Sequence, residues 1–176
     1  MYKRQEDDSE ENRKYAAEKA RALGDAYYGK EIFVRGLIEF TNYCKNDCYY
    51  CGIRCSNKKA NRYRLSEEDI LACCEEGDRL GFRTFVLQGG EDPYYTDDKI
   101  VDIVREIKRR YPEHAVTLSI GERERESYER FFAAGADRYL LRHETANDTH
   151  YRKLHPESMS LSHRKQCLRD LKAVSY

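Results

Sequence analysis

Four short apolar runs, each followed by a longer helix-forming stretch, limit what this chain can fold into more than any other feature. Residues 32–40, 84–88, 115–119 and 137–141 are rich in strand formers, and three of them are too short to be helices. The stretches after them carry helix signals. Ser66, with Asp69 three residues on, caps a helix that runs to about Leu80 and closes at Gly81. Residues 97–110 place Ile100, Val101, Val104 and Ile107 at helical spacing; further helices are expected over 123–134 and 161–173. Strand–helix alternation predicts an α/β fold, with about four parallel strands joined by helical crossovers. Strand runs with little alternation suit a sheet covered on both faces.

The N-terminal end reads differently. Residues 1–12 are polar and acidic, as in a frayed or disordered start. Residues 13–28 form a helix with Tyr15, Ala16, Lys19, Ala20 and Leu23 on one face. The expected organisation is a tail and helix over 1–30, then an α/β core over 31–176. A closed barrel of eight β/α units needs about 250 residues. Four units make half of one, with an open inner face and an unprotected edge strand. The chain therefore reads as the N-terminal part of a longer protein.

Basic and acidic residues balance at 32 each, so no net field draws nucleic acid or an anionic membrane. No apolar run is long enough to span a bilayer. Seven cysteines and no export signal point to a reducing compartment, the cytoplasm.

In parallel α/β folds, ligands collect at the C-terminal ends of the strands. Cys44, Cys48 and Cys51 follow the first strand with C-x3-C-x2-C spacing. Three thiolates that close together can hold three irons of a [4Fe–4S] cube and leave the fourth iron open. An open iron can take the amino and carboxylate groups of S-adenosylmethionine. Zinc is the competing occupant, with Cys55 as a fourth ligand. Gly89-Gly90-Glu91 ends the second strand, as a plain turn or as backbone brought close to a ligand. Arg142 and Glu144 end the fourth, as a rim ion pair or as anion and ribose contacts. Arg164, early in the last helix, is either solvated or a carboxylate partner. His143, beside two of these residues, is a weaker candidate for a substrate contact. Cys73, Cys74 and Cys167 read as small apolar packing residues.

The cysteine run, with Tyr50 before its last member, resembles the radical-SAM signature. Residues 38–44 (IEFTNYC), 50–54 (YCGIR), 61–65 (NRYRL), 86–93 (VLQGGEDP) and 138–147 (RYLLRHETAN) are similar to HydE-type radical-SAM maturases of [FeFe]-hydrogenase. Methylornithine synthase and biotin synthase are related alternatives, and an inactive cluster-binding half-barrel is another. The resemblance implies the N-terminal half of a (β/α)8 TIM-type barrel holding a [4Fe–4S] cluster and S-adenosylmethionine. Reductive cleavage would give a 5′-deoxyadenosyl radical used in assembly of the di-iron subcluster. It implies Cys44, Cys48 and Cys51 as cluster ligands and Tyr50 at the adenine. Gln88, Gly89, Gly90, Glu91 and Ser119 would line the cofactor site. Glu144 would bind the sugar or amino end, Arg164 the carboxylate, and Arg142 an anionic group in the cavity. Implied partners are a small organometallic or amino-acid-derived substrate, an electron donor such as ferredoxin or flavodoxin, and other hydrogenase maturation proteins.

Overall fold

The computed structural model describes residues 8–176, and the chain divides into two compact units, one ending at Phe33 and one spanning Val34–Tyr176. In the first, helix α1 (Glu10–Tyr28) is capped by Ser9, whose side chain accepts from the Asn12 amide. The helix thus starts earlier than the expected residue 13, because the cap and the acidic first turn (Glu10, Glu11) favour an N-terminus there. The rest of the expected frayed start, residues 1–7, lies outside the described residues. On α1, Tyr15 and Leu23 of the expected apolar face are exposed.

The second unit holds strands β1 (Gly36–Thr41), β2 (Thr84–Gly89), β3 (Ala115–Ser119) and β4 (Arg138–Tyr139). It also holds helices α2 (Glu67–Arg79), α3 (Asp97–Arg110), α4 (Arg125–Ala134), α5 (Asp148–Leu154) and α6 (Leu161–Val174). The strands form one parallel sheet in the order β1-β2-β3-β4, as the alternation requires. Ile38 pairs with Leu87, Leu87 with Leu118, and Leu118 with Tyr139. This is the α/β architecture of a partial barrel.

The helices cover one face. Phe40, Phe85, Leu87, Val116 and Leu118 turn toward Ile70, Ile100, Val104, Ile107 and Phe131, all nearly inaccessible. Burying each such side chain contributes about 1.5–3 kcal/mol. The other face is covered unevenly: Thr117 and Ser119 of β3 are buried there, whereas β1 is not covered as its apolar run suggested. In β1, Leu37 and Glu39 are exposed and Ile38 and Phe40 are buried, so burial alternates along this part of the strand. The first strand begins at Gly36, and Ile32, Phe33 and Val34 are exposed rather than paired. The fourth strand is shorter than residues 137–141, although Asp137 and Leu140 still donate backbone hydrogen bonds to Val116 and Leu118 of β3.

The capping box on α2 forms as expected, with Ser66 and Asp69 bonded reciprocally. α3 has the expected bounds and buries all four expected residues plus Ile103. α5 was not expected. It starts at Asn147, whose side chain accepts from the His150 amide, and it buries one residue, Tyr151. Among the described residues, no helix is long and apolar enough to cross a membrane.

Candidate active site

The C-terminal ends of the strands and the loops after them enclose a cavity of about 400 Å³. Its wall is assembled from one stretch after another of the chain. The cysteine loop after β1 contributes Cys44, Cys48, Tyr50 and Cys51. The end of β2 contributes Gln88, Gly89, Gly90 and Glu91, and the end of β3 contributes Ser119. Arg142 and Glu144 follow β4, and Arg164 comes from the first turn of α6. The twelve residues expected to hold the cluster and the cofactor all line this one cavity. His143 does not, and Cys55 is exposed outside it.

The loop is held by two arginines, Arg62 and Arg64, that no spacing or pattern in the chain marked out. Arg62 donates to the carbonyls of Asn42, Ile53, Arg54 and Asn57, so one guanidinium draws both ends of the loop together. Arg64 grips Asp92 with two hydrogen bonds, 2.6 and 2.9 Å, and stacks on the Tyr43 ring at 3.9 Å. Thr41 donates a third bond to Asp92 at 2.8 Å. Burial alone would raise the Asp92 pKa; the bonds from Arg64 and Thr41 override it and hold the carboxyl below its usual range.

The glycine pair is required by close approach. A Cβ on Gly90 would meet the Tyr43 carbonyl oxygen at 2.1 Å and the Cys44 Cβ at 2.7 Å, so only glycine lets β2 pass the cysteine loop there. Glu91 then reaches across the rim. Its backbone oxygen accepts from the Lys45 amide at 2.9 Å, and its Oε1 accepts from the Glu122 amide at 2.9 Å. Gly121, at φ +81°, has no room for a side chain, because a Cβ there would stand 2.1 Å from Glu91 Cγ. Lys45 Nζ lies 3.2 Å from Glu91 Oε2, an ion contact outside hydrogen-bonding geometry, since that buried oxygen has no hydrogen-bond donor. Glu91 is therefore the joint between three of the loops.

Arg164 is buried and lies 2.5 Å from Glu122; it also donates to the Arg142 carbonyl. Burial works against its charge, and the Glu122 bond more than restores it. Glu144 adopts φ +61°, a left-handed conformation rare for this residue type. Tyr50 is held by a residue the sequence did not flag. The buried His155 packs its ring on Tyr151, centroids 3.9 Å apart, with Nδ1 3.0 Å from the Tyr151 carbonyl oxygen. A carbonyl only accepts, so Nδ1 carries the proton and Nε2 accepts from the Tyr50 hydroxyl at 3.3 Å. Cys48 Sγ lies 3.7 Å from the Met159 sulfur, so the loop docks on the segment around α5.

The thiols are crowded and half-buried. Burial, and secondarily the neighbouring cysteines, push Cys48 up to about 11; burial also raises Cys44. Such a set favours a cationic occupant that replaces the protons. Cys55, the fourth ligand that a closed zinc site would need, is exposed outside the cavity, whereas three thiolates suffice for three irons of a cube. Cys74 and Cys167 are buried as expected, but Cys73 is exposed, because it falls on the solvent side of α2.

A parallel partial barrel with three cysteines and a glycine-walled cavity at its strand ends defines a class, and the sequence comparisons give the same one. Residues 38–176 match the model of the Radical SAM superfamily, and the chain belongs to that superfamily. It is 51% identical over 150 residues to the [FeFe] hydrogenase maturase subunit HydE of Thermotoga maritima, covering 85% of this chain and 42% of that protein. It is 34% identical over 137 residues to the 3-methylornithine synthase of Methanosarcina acetivorans, covering 77% and 39%. The crystal structure of methylornithine synthase (PylB) superposes with a TM-score of 0.84 at 31% identity, over 97% of this chain and 50% of that one. The chain thus spans less than half the length of the curated relatives it matches. It is a radical-SAM enzyme by family, related to maturases and methylornithine synthases, and that fold carries the capability to bind a [4Fe–4S] cluster and S-adenosylmethionine.

Proposed function

We propose that this chain provides the cluster- and cofactor-binding half of a HydE-type maturase that takes part in building the di-iron subcluster of [FeFe]-hydrogenase. The observation that carries the reading is the 51% identity to HydE over 150 residues, against 34% to methylornithine synthase over 137. A [4Fe–4S] cluster with bound S-adenosylmethionine supplies one-electron reductive cleavage of a sulfonium. The residues of this chain do the holding. Cys44, Cys48 and Cys51 give up their thiol protons and bind three irons. Gly89 and Gly90 offer backbone carbonyls to an ammonium, and Arg164 offers its guanidinium to a carboxylate. Glu144 accepts from the ribose, Tyr50 packs on the adenine with its hydroxyl anchored by His155, and Gln88, Glu91 and Ser119 complete the wall. Arg142, exposed at the rim, receives an anionic group. The substrate is a small organometallic or amino-acid-derived molecule, the electron comes from a ferredoxin or flavodoxin, and the setting is the cytoplasm.

The superposition on methylornithine synthase supports a second reading, in which the same site acts on an amino-acid substrate. Anaerobic incubation of the reconstituted protein with dithionite and S-adenosylmethionine, followed by chromatography for 5′-deoxyadenosine, tests the cofactor half of the proposal. Formation of 5′-deoxyadenosine is expected. A cluster that forms without it would mean a passive half-barrel. Complementation of a hydrogenase-maturation deletion by the gene, rather than formation of 3-methylornithine, distinguishes the two substrates.

A further inference from the structure

Beside the cavity, and outside its wall, three other donor side chains converge. Glu122 follows β3, and His163 and Cys167 stand one turn apart on α6. Among the described residues, this is the group of three His, Cys, Asp or Glu ligand atoms that lie within 4.8 Å of one another. Cys167 Sγ is 3.6 Å from His163 Nε2, and that nitrogen is 3.7 Å from Glu122 Oε2. Tetrahedral zinc, with Zn–S of about 2.3 Å and Zn–N of about 2.0–2.1 Å, sets its sulfur and nitrogen ligands about 3.5 Å apart and its nitrogen and oxygen ligands about 3.3 Å apart. These two separations stand close to the edges of such a tetrahedron, and the sulfur and a carboxylate oxygen lie within 4.8 Å.

The surroundings suit a cation. Glu122 is not free to swing, because its Oε1 is held by Arg164; carboxylates that bind metals are commonly fixed by such a second hydrogen bond. Arg164 bonds that oxygen through Nε and the Arg142 carbonyl through Nη1, and Oε2 is turned toward His163. Cys167 is buried, with a weak contact to the Arg123 carbonyl at 3.7 Å, while the His163 side chain is half exposed and gives a way in from solvent. A sulfur, nitrogen and oxygen set suits zinc rather than magnesium or calcium.

We propose that Glu122, His163 and Cys167 form a mononuclear zinc site separate from the cysteine loop, with water as the fourth ligand. On binding, the Cys167 thiol loses its proton to solvent as the sulfur–metal bond forms, and neutral His163 gives its Nε2 lone pair. The site would pin α6 to the loop after β3 through the carboxylate that also holds Arg164.

Cobalt(II) is the spectroscopic probe. The full chain carrying Cys44→Ala, Cys48→Ala and Cys51→Ala, which removes the competing thiols of the loop, is titrated with Co2+ without oxygen. One equivalent and a thiolate-to-metal charge-transfer band in the near ultraviolet are expected. Adding Cys167→Ala should abolish the band, and His163→Ala should weaken binding at least tenfold. No band, or a band that survives Cys167→Ala, overturns the proposal. Should circular dichroism show the triple variant unfolded, the wild-type protein with its loop loaded by iron is compared with its Cys167→Ala form by zinc analysis. One zinc per chain against none is expected, and equal zinc in both overturns the site. Iron loading is read separately, so failure of the cluster proposal leaves a different signature.

Discussion

The two ends of the sheet use charge in opposite ways. At the end where the strands begin, polar side chains close on the backbone and on one another. Lys108 donates to the Pro112 and His114 carbonyls and reaches Asp137 at 3.4 Å, while Asp137 accepts from the Val116 amide at 2.7 Å. His114 pairs with Asp78 at 3.0 Å and stacks on Phe85. These contacts tie α3 and α2 to the sheet. At the other end, Arg62, Arg64, Glu91 and Arg164 tie together the loops that surround a cavity. The lesson is one of division: one end of each strand is given to stability, the other to a site.

That division can be broken most forcefully at Cys44. Cys44→Ala should reduce the iron retained after anaerobic reconstitution to background, read by absorbance near 400 nm and iron analysis, while the urea midpoint of the apoprotein moves little. A large loss of stability in the apoprotein would show that the loop is structural instead. Phe131→Ala should do the reverse. It empties a fully buried position between α4 and the sheet and should cost about 3–5 kcal/mol in urea unfolding.

Asp92 sits between the two roles, because it clamps the loop but touches no expected ligand. Asp92→Asn should cost about 2–3 kcal/mol at neutral pH. The folded pKa is lowered, so the clamp contributes fully above the ordinary aspartate range, near 3.9, and its contribution is lost as pH falls through the lower folded value. The stability difference between wild type and Asp92→Asn should therefore shrink in acid, and a constant difference would contradict the clamp. The smallest effect is expected at Ser66, the cap of α2, where Ser66→Ala should cost about 1 kcal/mol and leave iron binding unchanged.

Much of this was legible in the chain itself. The cysteine spacing, the glycine pair and the strand-end polar residues all fell on one cavity, because a parallel sheet brings every strand's C-terminal end to the same side. α3 was legible because Ile100, Val101, Val104 and Ile107 repeat at helical spacing under a Thr96 cap. α5 was not, because it buries Tyr151 alone and leaves no apolar stripe to find; the Asn147 cap was its one signal. His155 was missed with it, since its role comes from packing on Tyr151 rather than from spacing to another ligand. Arg62 was hidden for another reason. Its partners are backbone carbonyls, which any sequence supplies. The exposure of Leu37 on β1 agrees with the open inner face expected of half a barrel and departs from a sheet covered on both faces; composition alone cannot say which side of a strand a helix takes.

The central claim is that Cys44, Cys48 and Cys51 hold a [4Fe–4S] cluster open to S-adenosylmethionine. Electron paramagnetic resonance of the reconstituted, dithionite-reduced protein, recorded with and without S-adenosylmethionine, tests it most directly. The account predicts a [4Fe–4S] signal whose g-values shift on adding the nucleotide. A signal that ignores it, or a loop that carries zinc and no iron, would contradict the account.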